Sequence, residues 1–157
     1  MRCLPVFSNA DLLIQDEIKN IDDLFSEYEL LFDLAKQQEP DSVETLALAA
    51  LVHSFYNGLE NIFQIITKRV DSYIPKPPAW HTDLLMKMGE ATEKRKAVLH
   101  ETTLLHLQEY LGFRHFFRHS YTTKIEWEKL KPLIDNIHNT WSKVKSDLEN
   151  FVKTIQE

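Results

Sequence analysis

"DSVETLALAALVHSFYNGLENIFQIITKRVD", residues 41–71, decides the fold. Asp41 or Ser42 stands where a helix N-cap belongs, and Glu44 occupies the capping-box position. From there on, apolar residues cover most of the helical circumference and not a single stripe. A helix that is apolar nearly all round must be enclosed by other elements. One polar stripe breaks the pattern: His53, Asn57, Glu60 and Gln64, at i, i+4, i+7 and i+11. The segment is therefore expected as the central, buried helix, and its buried polar groups need partners.

Upstream, residues 8–38 read as one helix. Ser8 or Asn9 is its N-cap, Pro40 ends it, and Leu13, Ile14, Ile18, Ile21, Phe25, Tyr28 and Phe32 recur at three- and four-residue spacing. Downstream, "YIPKPPAW" (73–80) carries three prolines and reads as a loop. A third helix is expected from about His81 to Leu111, interrupted near Gly89, with Lys94, Arg95 and Lys96 in solvent. A last helix starts near Glu126, with Pro132 in its early turns and apolar positions from Trp127 through Trp141 to Ile155. Short connections between long amphipathic helices make neighbours antiparallel. The expected fold is all-α, an antiparallel bundle of four to five helices, forming one domain over residues 1–157.

Bulk properties agree. The 157 residues are 43% apolar, with 3 glycines, which suits one packed core and disfavours turn-rich β folds and Gly-rich phosphate loops. No apolar run reaches membrane-span length, and "MRCLPVFSNADLL" lacks a signal-peptide h-region, so a cytoplasmic protein with no membrane partner is expected. The single cysteine, Cys3, fits a reducing compartment. Residues 1–71 carry 13 acids against 5 bases, whereas residues 72–157 carry 11 against 13. A nucleic-acid coating protein is basic overall. A phosphate-bearing partner must use a local patch in the later half.

That patch is "GFRHFFRHSYTTK", residues 112–124, where no acid falls between Glu109 and Glu126. On a helix at about 100° per residue, Phe113, Phe116, Phe117 and Ser120 share a core face, and Tyr121, Arg114, Arg118, His115 and His119 span the opposite arc. Three readings compete. The arc is a solvated basic face. Or His115 and His119, at i, i+4, share a zinc ion, although no third ligand is supplied nearby and two arginines repel a cation. Or Arg114 and Arg118 grip phosphate while histidines move protons. RNA carries its own nucleophile, the 2′-OH, so its cleavage needs no metal or cofactor. Arg114 and His119 lie roughly 140° apart on one helix, so they converge where the helix bends or where two copies face each other.

Arg114, His119 and Tyr121 form an Arg-x4-His-x-Tyr motif. With "FYNGLENIFQIITKRVD", "HLQEYLGFRHFFRHSY" and "WEKLKPLI", it resembles the HepT-like toxins of the HEPN superfamily, over about residues 8–155. The resemblance implies a homodimeric helical bundle with the motif in a cleft at the dimer interface. It implies metal-independent RNA cleavage leaving a 2′,3′-cyclic phosphate. Arg114 would stabilise the transition-state phosphate, and His119 would act as general base or acid, with His115 in the polar place after the motif arginine. Tyr121 matches the tyrosine that a nucleotidyltransferase (MNT-type) antitoxin modifies with AMP in some family systems. Such a pair implies a bacterial or archaeal cytoplasm.

Arg118 lies outside the motif and reads equally as a solvated or phosphate-steering cation. Glu60 either orients Arg114 or, with Asn57 as a further supporting residue of the stripe, belongs to a structural network. His81, His100, His106 and His138 have no constellation around them and read as surface or boundary residues. Trp80, Trp127 and Trp141 read as core and interface aromatics. The alternative to an enzyme is a non-catalytic module that binds a nucleotide or a nucleotidyltransferase.

Overall fold

A computed structural model describes residues 9–156. Ser8 and Cys3 lie outside the described residues. Asn9 precedes the first helix but makes no side-chain capping bond. Six α-helices follow in order: α1 (Ala10–Glu27), α2 (Glu29–Gln37), α3 (Ser42–Arg69), α4 (Trp80–Met88), α5 (Glu101–His119) and α6 (Trp127–Gln156). A 3₁₀ turn, Thr122–Lys124, joins the last two. No strand occurs among the described residues, and none of their helices is long and apolar enough to cross a membrane.

α3 is the central element, in contact with every other helix. Its start is fixed as its sequence demands. Asp41 Oδ1 accepts from the Glu44 amide at 2.8 Å, and Glu44 Oε1 accepts from the Asp41 amide at 3.5 Å. Phe55 sits at the crossing point, edge-on to Phe25, Tyr110 and Trp141. Gly58 lets α1 approach closely, because a Cβ there would stand 2.9 Å from Ile21 Cγ1. α6 buries one stripe from Leu130 to Val152, and Tyr110 of α5 donates to the Leu133 carbonyl at 2.8 Å.

Among the described residues the helix count is six and not four to five, because two expected helices divide. The first breaks at Tyr28, whose dihedrals (φ −109°, ψ 21°) leave the helical well for one residue. Phe25 and Phe32 still stack across the break at 5.6 Å, so the apolar period runs through it unaltered and conceals it.

The expected third helix divides more deeply, into α4 and α5, and α5 runs straight through Gly112. The connection, residues 89–100, is built on Arg95, which is buried and not solvated. Its guanidinium pairs with both oxygens of Asp71 at 2.7 Å and donates to the carbonyls of Lys87, Glu90 and Lys96. Lys87 belongs to the last turn of α4, and its carbonyl takes Arg95 as a second donor beside the Glu90 amide. The Met88 carbonyl accepts from Val98 and Leu99.

Candidate functional site

α5 lies along α3 so that Arg114 faces Asn57 and Glu60, and Phe117 faces His53. Glu60 is 3% exposed, an unusual place for a carboxylate unless both oxygens are paired. Its Oε1 lies 2.9 Å from Arg114 Nε, and its Oε2 lies 2.7 Å from His81 Nδ1. Asn57 Oδ1 accepts from Arg114 Nε at 3.2 Å. Asn57 and Glu60, the middle of the α3 stripe, are thus partnered by α5, and Glu60 also by the first turn of α4. Gln64, at its far end, makes no side-chain hydrogen bond to the described residues.

Two consequences follow. Arg114 is anchored through Nε, and its terminal nitrogens make no hydrogen bond to the described residues. They are left as a planar fork, the geometry that grips phosphate bidentately. A carboxylate oxygen accepts, so His81 Nδ1 is the donor to Glu60, and Nε2 makes no hydrogen bond to the described residues. Both side chains line a cleft of about 540 Å3 between α4 and α5. His81, Thr82 and Met86 form one wall, and Gln108, Arg114 and His115 the other.

His119 does not line that cleft. It is the last residue of α5, and its ring lies 4.7 Å from that of His115. The two exposed imidazoles form a rim leading from the cleft to the helix end. Ser120 then leaves the helix (φ −109°, ψ 151°), so the helical arc stops short of Tyr121, which stands 82% exposed. Arg118 is exposed beside them.

His53 stacks on Phe117 at 4.9 Å between ring centroids. Desolvation, then the positive charges of Arg114 and Arg118, hold it below the ordinary value of 6.5. Its Nδ1 is buried without a partner, as is the hydroxyl of Tyr56 one turn on. Burial and the Glu60 charge push the Tyr56 phenol far up.

Three expectations need correction. Arg114 does not point away from the core; its long side chain turns back to α3, where a buried carboxylate attracts it. Phe116 is 38% exposed and packs only at the edge, beside Phe113, while Phe113 and Phe117 carry the contact with the core. His81 does have a constellation, in Glu60 and Arg114. It escaped notice because its partner lies 21 residues away across a proline loop. The available signal was Glu60 itself, whose two buried oxygens ask for two donors when Arg114 supplies one.

The profile of the family described as HepT-like protein matches residues 47–155. That span holds the polar stripe of α3, both walls of the cleft, and the stretch from Arg114 to Tyr121. The chain belongs to this HepT-like family, within the helical HEPN superfamily. No curated protein and no solved structure matches the chain.

Proposed function

We propose that this chain is a metal-independent endoribonuclease, the toxin of a HEPN/MNT toxin–antitoxin pair acting in a bacterial or archaeal cytoplasm. The 2′-oxygen of RNA attacks the adjacent phosphorus, the bond to the 5′-oxygen breaks, and a 2′,3′-cyclic phosphate remains. Arg114 binds the phosphate oxygens through its fork as negative charge grows in the transition state. His119 delivers a proton to the departing 5′-oxygen. His115 and Arg118 extend the positive rim, and Glu60 and Asn57 aim Arg114.

The observation that carries this reading is the preorganised Arg114, tied by Nε to the buried Glu60 and the half-buried Asn57 with its fork left over at the cleft. A guanidinium held in this way reorganises little when charge develops. His119 stands outside the cleft of its own chain, which favours a homodimer in which the motifs of two copies share one RNA-binding groove. Tyr121 projects beyond α5, open to a nucleotidyltransferase. An AMP group there adds bulk and negative charge beside Arg118 and His119, which blocks RNA.

The test is end-group analysis. Unmodified protein incubated with RNA in EDTA gives fragments ending in 2′,3′-cyclic phosphate. Fragments ending in 3′-hydroxyl, or cleavage that requires added metal, contradict the mechanism.

One observation favours the second reading. Glu60 neutralises Arg114, as a purely structural ion pair does. A non-catalytic module of that kind binds AMP, ATP or a nucleotidyltransferase saturably and leaves RNA intact.

A further inference from the structure

We infer that His81 is the general base of the cleft, held by Glu60 to take the proton from the attacking 2′-hydroxyl. This rests on the ribonuclease reading and adds a residue that the Arg-x4-His-x-Tyr motif does not contain.

The motif leaves the chemistry incomplete within one chain. Transesterification needs one group to accept a proton and another to give one. Arg114 lines the cleft, and His119 does not. The imidazoles that do line it are His81 and His115, and they differ in one respect. His115 is exposed, and no carboxylate of the described residues bonds its ring. His81 is clamped. Its Nδ1 is bound at 2.7 Å to a carboxylate with only 4% of its side chain exposed, and its ring lies against Trp80 at 3.5 Å between centroids. Its own side chain is 23% exposed, and Nε2 makes no hydrogen bond to the described residues.

A carboxylate on Nδ1 with a free Nε2 directed at reactants is how an orienting acid prepares an imidazole base. It fixes the tautomer and stabilises the imidazolium that forms. Here the same carboxylate also holds the phosphate-binding arginine. Glu60 therefore sets the spacing between the group that grips the phosphate and the group that activates the nucleophile. In the step itself, Nε2 takes the proton of the 2′-hydroxyl as the O2′–P bond forms. The P–O5′ bond breaks, and His119, brought to the shared groove by the second copy of the proposed homodimer, protonates O5′. The two imidazoles end with exchanged protonation states and reset through solvent. Charge is conserved, and no further reactant is needed.

His81→Asn tests this, because the Asn amide nitrogen stands near the position of Nδ1. The variant keeps a donor for Glu60 and removes Nε2. Expected is a loss of kcat of about 10²- to 10⁴-fold on a short RNA in EDTA, with KM and the unfolding midpoint unchanged. Wild-type-like kcat overturns the inference and leaves the ribonuclease reading standing. A wild type that cuts no RNA overturns that reading instead. A second measurement needs neither turnover nor a variant. The ¹⁵N signature of His81 should show Nδ1 protonated and Nε2 bare, and adding adenosine 3′-monophosphate should shift its Hε1 resonance. The opposite tautomer, or a His81 signal indifferent to the nucleotide, overturns the assignment even if His81→Asn proves too unstable to assay.

Discussion

Arg114 Nε and Glu60 Oε1 meet at 2.9 Å across the seam between α5 and α3, with 11% and 4% of their side chains exposed. Removing one member of such a pair strands the other. Glu60→Ala is expected to cost about 3–5 kcal/mol of stability, read by urea unfolding. Glu60→Gln keeps the shape and an acceptor, so it loses less stability. It still depresses RNA cleavage strongly, because it loosens both Arg114 and His81. Cleavage at the wild-type rate by Glu60→Gln would show that the pair serves the fold alone.

Arg95 gives a contrasting case, a buried charge far from the chemistry. Its side chain is 1% exposed and its partner Asp71 is 6% exposed. Arg95→Ala is expected to destabilise by about 3–5 kcal/mol while the folded fraction keeps its cleavage rate. The double variant Arg95→Met, Asp71→Leu recovers only part of the loss, since three backbone carbonyls also lose their hydrogen bonds to Arg95, the Lys87 carbonyl keeping the Glu90 amide. Full recovery would mean that those carbonyls contribute nothing.

His53 sets a pH dependence. Its folded-state value is depressed below 6.5 by burial and by Arg114 and Arg118. The unfolded chain therefore binds the proton first as pH drops, and stability is lost as pH falls below about 6.5 towards the folded value. His138 acts with the same sign through its own burial. His53→Gln should flatten part of the slope in thermal melts taken from pH 7.5 to 5. An unchanged slope would exclude His53 as a contributor.

Tyr121 separates modification from catalysis. It is exposed, beyond the last turn of α5, and outside the Glu60 cluster. Tyr121→Phe is expected to keep RNA cleavage within a small factor of wild type and to accept no AMP from a nucleotidyltransferase, as followed by intact mass. AMP transfer to Tyr121→Phe would place the modified residue elsewhere.

Much of the fold was legible from periodicity. α3 was recognisable as the central helix because its apolar residues leave no solvent face. The start of α3 and the stripe of α6 likewise lay open in the sequence. What stayed hidden depended on distant partners. Nothing local marks Arg95 as buried, because Asp71 lies 24 residues away and the carbonyls it serves exist only once α4 ends. The break at Tyr28 is one residue of altered dihedrals inside an unbroken apolar pattern. At the site, the motif residues and the stripe of α3 could be picked out singly. The Glu60–Arg114 contact stood as one of two readings, but His81 as its third member did not, because its partner lies 21 residues away and a helical wheel places the start of a side chain and not the end of a long arginine. Glu60 draws Arg114 inward, and only that reversal places it beside His81.

The central claim is that the Arg114 fork stabilises a phosphate in reaction. The most direct measurement is the cleavage rate of a defined RNA in EDTA by unmodified wild type, Arg114→Ala and His119→Ala, each checked for folding by circular dichroism. Arg114→Ala and His119→Ala should each lose about 10²-fold or more while remaining helical. Cleavage at the wild-type rate by folded Arg114→Ala would contradict the account.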